Sequence, residues 1–244
     1  MKWIRTWRDP YGLGFSTTGP KKVCFEPGLT VLVGCNGSGK STLLRNVRDE
    51  LEKEGVPCLL YDDRQSGSSV SAERKMFYGD VEGAVRMMTS SEGEKIRLGI
   101  GDQASSMREF ILYGRKQRSR LEDALAAAGG HEIREKDHGD ERWVLMDAVD
   151  SGYSVDNVLE LKSFFGLMSK DATDNGKTLY IVVSANEYEL AASERCMDVM
   201  AGKEVFFKDY AEYREFILKT RKKKEKRMER ALARKDKKEK KGGA

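Results

Sequence analysis

Histidine and paired cysteine are what this chain has least of. Two histidines and four cysteines stand among 244 residues, and no two cysteines share a C-x-x-C spacing. Cys24, Cys35, Cys58 and Cys196 therefore argue against a zinc site and against a disulfide framework. Long apolar runs are missing too. No stretch approaches the ~18 apolar residues of a membrane span, and Met1-Lys2-Trp3-Ile4-Arg5 lacks the apolar core of a signal peptide. The expectation is a soluble, cytoplasmic protein with no membrane contact, kept in a reducing interior. Internal repeats and long heptad arrays are absent as well. Hydrophobic residues make up only 39% of the chain, and charge is distributed unevenly along it. Residues 219–241 carry 14 Lys/Arg against 4 Asp/Glu, whereas the rest carries 30 against 36. The net charge of +4 thus belongs to a basic tail on an acidic body.

One stretch is dense in glycine and organises the remainder. Gly34-Cys35-Asn36-Gly37-Ser38-Gly39-Lys40-Ser41-Thr42 meets every fixed position of the phosphate-loop pattern G-x-x-x-x-G-K-[ST]. Its flanks fit. Leu29-Thr30-Val31-Leu32-Val33 reads as a buried parallel strand. Leu43, Leu44, Val47 and Leu51 fall at helical spacing after the loop. The glycines let backbone N–H groups approach phosphate oxygens at a helix N-terminus. Lys40 is expected to reach the β- and γ-phosphates, and the Ser41 hydroxyl to ligate Mg²⁺. The implied ligand is a nucleoside triphosphate.

Residues 2–8 alternate polar and apolar as an edge strand does, and residues 22–25 read as a second strand. Among Trp7, Tyr11 and Phe15 there is either a base-stacking aromatic or a set of ordinary sheet and turn aromatics. Residues 58–61 make a strand that runs into a polar loop, where Gln65 is a candidate orienter of Mg²⁺ or of attacking water. Ser91-Glu92-Gly93-Glu94 reads as a capping box opening a helix to about Tyr113, and also as an anion site. Residues 114–142 are charged, with His131 and His138 expected at the surface. The apolar strand Trp143-Val144-Leu145-Met146 ends in Asp147, a carboxylate placed to hold Mg²⁺ beside Ser41. A helix over 154–168, a buried strand over 179–185, a hairpin around 201–203 and a helix from Asp209 complete the body.

The expected fold is α/β: a mostly parallel central sheet flanked by helices, antiparallel N-terminal edge strands, and a basic, helical C-terminal tail. Residues 1–218 form the nucleotide-binding domain, with 70–142 as its helical and charged region, and 219–244 form the tail, helical or disordered. The tail suits either a sequence-independent contact with nucleic acid or a solvated helix with i,i+4 pairs such as Arg221 with Glu225. No aromatics interleave it, so it does not suit a single-strand stacking platform.

In the order of its motifs the chain resembles the ATP-binding-cassette (ABC) ATPases, in their soluble chromosome- and repair-type branch. The loop from Gly34 to Thr42 has that family's form, Gln65 falls at its Q-loop, and Ser91-Glu92-Gly93-Glu94 is similar to its signature, with Glu92 in place of a glycine. Residues 144–147 resemble the Walker B strand, and Ser151-Gly152 the approach to the D-loop. The resemblance implies ATP and Mg²⁺ as cofactors. Asn36, Gly37, Ser38, Gly39, Lys40, Ser41, Thr42, Ser91 and Gly93 would then contact nucleotide, and Ser41, Gln65 and Asp147 the metal. It also implies a head-to-tail homodimer with ATP sandwiched between subunits.

Two positions depart from the family. Ala148 stands where the catalytic glutamate is expected, and Ala185, or Asn186 with a one-residue shift, where the switch histidine is. Asp150 is the substitute base, with Lys40 and Gln65 as the other catalytic candidates. Loss of a general base costs about 10²–10⁴ in rate, so the expected activity is tight ATP binding with slow hydrolysis. An ATP-binding scaffold that regulates a partner protein is the alternative. A P-loop kinase is a third reading, favoured by the arginine-rich residues 114–120 and disfavoured by the strand order and the Ser91–Glu94 segment.

Overall fold

The computed structural model describes residues 1–6, 22–62, 107–114, 139–150 and 153–242, the last twelve of these by backbone alone. Strands β1 (Lys2–Arg5) and β2 (Lys22–Phe25) pair antiparallel in a two-stranded sheet of their own. The central sheet holds β3 (Gly28–Val33), β4 (Cys58–Asp62), β5 (Glu141–Asp147), β6 (Thr178–Ser184), β7 (Cys196–Asp198) and β8 (Lys203–Val205). Its order is β4-β5-β6-β3-β7-β8, and every neighbouring pair is parallel except β7 with β8. The helices are α1 (Lys40–Glu54), α2 (Val155–Asp174), α3 (Tyr188–Ala191) and α4 (Tyr210–Gly242), and residues 107–113 are also helical.

Period-two alternation sends each strand's side chains to two separate cores. Val31, Val33, Val144, Met146, Ile181 and Val183 face one side, packed with Val158, Leu161 and Phe165 of α2 and with Met107, Phe110 and Ile111. Leu32, Leu145, Trp143, Tyr180 and Val182 face the other, against Leu43, Leu44, Val47 and Leu51 of α1. Ile4, Val23 and Phe25 of the small sheet join this second core. Its aromatic centre is Trp143, stacked on Tyr180 at 4.2 Å and met edge-on by Phe25 at 5.5 Å. Burial on both faces explains why these strands read as unbroken apolar runs.

Local chemistry sets the ends of the elements. Helix α1 stops at Gly55, whose left-handed φ of 70° lets Val56 N–H reach the Leu51 carbonyl at 2.9 Å. Helix α2 starts at Ser154, whose hydroxyl accepts Asn157 N–H at 3.4 Å, and it runs to Asp174, one and a half turns beyond the expected end. Ala172, fully buried, carries the inner stripe that far. Asp198 accepts the N–H groups of Met200 and Ala201, and so turns β7 into β8 over residues 199–202, overlapping the expected turn at 201–203. The tail is helical: α4 continues unbroken to Gly242. Among the described residues, no helix is long and apolar enough to cross a membrane.

Candidate functional site

The phosphate loop leaves the C-terminal end of β3 and delivers the chain into α1, which begins at Lys40. Ser38 N–H closes a turn on the Cys35 carbonyl at 3.0 Å. Gly39 stands just before the helix at φ 106°, in the left-handed region that disfavours any residue with a Cβ. Leu43 N–H then reaches the Gly39 carbonyl at 2.8 Å as the first helical bond. Asn36 and Gly37 form the exposed apex, whereas Ser38, Gly39, Ser41 and Thr42 are half-buried. The Ser38 hydroxyl oxygen is buried and has no hydrogen-bond partner among the described residues.

Lys40 is 9% exposed and donates from Nζ to the Gly34 carbonyl at 2.9 Å, so its ammonium is folded back over the loop. Burial pushes its pKa down, and the negative fields of Cys35, Asp150 and Asp147 partly restore it. The same fields put the lysine and both carboxylates in one neighbourhood, at the end of the sheet where α/β folds bind ligands.

Asp147 closes β5, and Ser184 closes β6 next to it. The Ser184 hydroxyl donates to Asp147 Oδ1 at 2.7 Å and accepts the Ala148 N–H at 2.6 Å. Ala148 is held at φ 53°, one of two described non-glycine residues with positive φ. The position expected to carry a catalytic glutamate therefore has both a methyl side chain and a constrained backbone.

Asp150 is 1% exposed. Its Oδ2 accepts the N–H groups of Asn186 and Glu187, each at 2.7 Å, which ties the turn after β5 to the turn after β6. Its Oδ1 is buried without a partner among the described residues. Burial raises the Asp150 pKa, against the lowering effect of those backbone bonds and of Lys40. Ala185, the expected switch position, is buried and donates its N–H to the Leu32 carbonyl at 3.1 Å. Asn186 is exposed, and its carbonyl accepts the Tyr213 hydroxyl at 3.1 Å.

Asn36, Gly37, Ser38, Gly39, Lys40, Ser41 and Thr42 thus lie on one continuous loop-to-helix turn, and the negative fields of Asp147 and Asp150 reach Lys40. Gln65, Ser91 and Gly93 lie outside the described residues, as do Trp7, Tyr11, Phe15 and both histidines. The Ser41 hydroxyl and the Asp147 carboxylate are oxygen donors of the kind that suits Mg²⁺. Among the described residues no three His, Cys, Asp or Glu side chains could hold a metal together. A cation here would depend on phosphate oxygens for the rest of its shell, and the donor set fits that arrangement.

Helix α4 supplies two contacts that the motifs do not reveal. Thr220, 1% exposed, accepts the Cys35 N–H at 3.2 Å. One turn on, Lys224 donates from Nζ to the Asn36 carbonyl at 2.9 Å.

A family model described as AAA domain matches residues 23–179. No curated protein matches the chain. Among solved structures it is similar to cbiO1 from Clostridium perfringens, described as part of the ABC transporter complex cbiONQ. That likeness has 15% identity and a TM-score of 0.41, over 84% of this chain and 86% of that one. Matched over well more than half its length, the chain belongs to the AAA-domain family of P-loop NTPases.

Proposed function

We propose that this AAA-domain protein binds ATP with Mg²⁺ at residues 34–42 and hydrolyses it slowly, as a switch rather than as a high-turnover enzyme. The observation that carries the reading is topological: the glycine loop that leads into the buried Lys40 leaves the C-terminal end of β3, at the same end of the parallel sheet as Asp147, which closes β5. Loop N–H groups and Lys40 would take the phosphates, Lys40 exchanging its Gly34 carbonyl for phosphate oxygens. Ser41 and Asp147 would hold Mg²⁺, which supplies neutralisation of phosphate charge.

Asp150 is the group proposed to take the proton from water as its oxygen bonds to the terminal phosphorus and the bond to the β-phosphate oxygen breaks. Its Oδ1, without a partner among the described residues, supplies a lone pair, and its raised pKa makes it a better base than an ordinary carboxylate. Its burial and its two backbone bonds hold it stiffly in place, and Ala148 adds no carboxylate nearer the phosphate. Both features favour slow turnover.

The ABC-type form of this reading, with two chains sandwiching two ATP molecules, rests on the Ser91–Glu94 and Gln65 segments of the sequence. An ATP-binding scaffold that scarcely hydrolyses is favoured by one observation: the constrained methyl-bearing Ala148 in the glutamate position. Phosphate release, with solution mass measured in ATP–Mg²⁺, separates these. Wild-type turnover that Asp150→Ala abolishes, with a dimer that then persists, supports the switch. A dimer equally persistent in both chains supports the scaffold. Failure of ATP to bind at all, or binding unaffected by Lys40→Ala, sinks the proposal.

A further inference from the structure

Helix α4 crosses the mouth of the phosphate loop before it becomes the basic tail. Among its described side chains Tyr213 and Thr220 are buried, Phe216 and Ile217 pack partly buried against the core, and Lys224 is the last that is half-buried. Thr220 fixes the helix to the loop's second residue through the Cys35 N–H, and Lys224 then stands over the apex. A Cβ at Gly37 would lie 3.5 Å from the Lys224 ammonium nitrogen, so the bare glycine leaves that side of the apex to the cation.

The neighbouring cations are disposed differently. Lys219 pairs with Glu215 at 2.8 Å and Arg221 with Glu225 at 3.1 Å, along the solvent side of the helix. Among the described residues no carboxylate pairs with Lys224; it is turned instead to one neutral carbonyl, and an ammonium has three N–H donors. This puts a second lysine on the loop that already carries Lys40, at the loop's Asn36 carbonyl and ahead of the positive end of α1. An anion bound at this loop would meet both lysines and the helix N-terminus, each of which attracts negative charge.

We infer that Lys224 is a second phosphate-binding residue of this loop, delivered by the C-terminal helix of the same chain, and that it recognises the outermost phosphate of a bound nucleoside triphosphate. The inference rests on the nucleotide reading above and adds to it a residue that no loop motif contains. The turn from Ser38 to Ser41 is half-buried or buried and would enclose phosphates nearer the nucleoside, whereas the apex at Asn36 and Gly37 is exposed and carries Lys224. Because α4 is continuous from Tyr210 to Gly242, whatever seats Lys224 also sets the direction of the basic tail.

The test is titration calorimetry of the full chain with ATP–Mg²⁺ and with ADP–Mg²⁺, using wild type, Lys224→Gln, Lys224→Arg and Lys40→Ala. Lys222→Gln and Lys223→Gln serve as exposed controls on the same helix. Loss of one charge-assisted bond corresponds to a roughly 10-fold or greater weakening. Lys224→Gln is expected to weaken ATP by about that factor and to leave ADP within about twofold, while Lys224→Arg recovers most of the ATP affinity. The controls should bind as wild type does. Unchanged ATP affinity in Lys224→Gln, with Lys40→Ala unable to bind, overturns this inference alone. Equal losses for ATP and ADP overturn it too, since Lys224 then acts only through loop packing. Absence of binding by the wild type overturns the nucleotide reading together with it.

Discussion

The Ser184 hydroxyl joins Asp147 across two adjacent strands: its proton goes to Asp147 Oδ1 at 2.7 Å while its oxygen takes the Ala148 N–H at 2.6 Å. Ser184 is fully buried, so Ser184→Ala leaves a half-buried carboxylate oxygen and a backbone N–H without their partner. The expected loss is about 1–3 kcal/mol of stability, read by urea denaturation. Asp147 also loses the contact that orients it, so the Mg²⁺ concentration needed for half-maximal ATP binding should rise. A variant with both quantities unchanged would show that the bridge has no role.

Asp150 gives a pH signature of its own. Burial holds its native pKa above the ordinary carboxylate range, so the native state binds this proton more tightly than the unfolded chain does. The resulting stability is fully present below the unfolded value of about 3.9 and is lost as pH rises through the native one. Asp150→Asn removes the titration yet keeps an amide oxygen for the Asn186 and Glu187 N–H groups. The stability of wild type minus that of the variant should therefore fall as pH climbs from about 4 towards neutrality. A difference flat in pH, measured by calorimetry at matched ionic strength, contradicts the assignment.

Strand, loop and helix around Lys40 were legible in the sequence because each is a local pattern: an apolar run, a glycine spacing, a 3.6-residue stripe. Asp147 was legible for the same reason, as the carboxylate that ends an apolar strand. Its bond to Ser184 was not, because the two are 37 residues apart and meet only when β6 inserts between β3 and β5. The sequence marks Asp150 as a candidate base only by its closeness to Ala148, and nothing local foretells that two N–H groups from the turn after β6 grip its Oδ2. Lys224 is one of 14 basic residues in the run over 219–241, and composition cannot say which of them faces inward. The end of α2 was placed short because Met168 is its last large apolar residue, and the small Ala172 extends the stripe without announcing it.

Cysteine chemistry follows from burial. Cys196 is fully buried on β7 with its thiol directed at the Ala191 and Glu194 carbonyls, and its pKa is pushed up to about 12, mainly by desolvation. Thiolate is the reactive form. Iodoacetamide at pH 8 should therefore leave Cys196 unmodified in the native protein and alkylate it only after denaturation. Cys24 and Cys58, both half-buried, should react sooner. Rapid native labelling of Cys196, seen by peptide mass mapping, would mean that β7 opens readily.

The tail's partner can be decided by salt. Helix α4 leaves the body after Lys224, and residues 226–241 add nine Lys/Arg against three Asp/Glu. At about 1.5 Å per residue that stretch is a rod of roughly 24 Å, enough to lie along several phosphates of a duplex. Each phosphate it neutralises contributes about 0.9 to the slope of log affinity against log salt. A chain ending at Glu225 keeps Thr220, Lys224 and the loop contacts, so its ATP affinity should match wild type. Its binding to a duplex of arbitrary sequence should disappear, while the full chain binds with a slope of about 3 to 6. If the shortened chain binds the duplex as well as the full one, the rod is a solvated helix whose cations answer to its own carboxylates and to water.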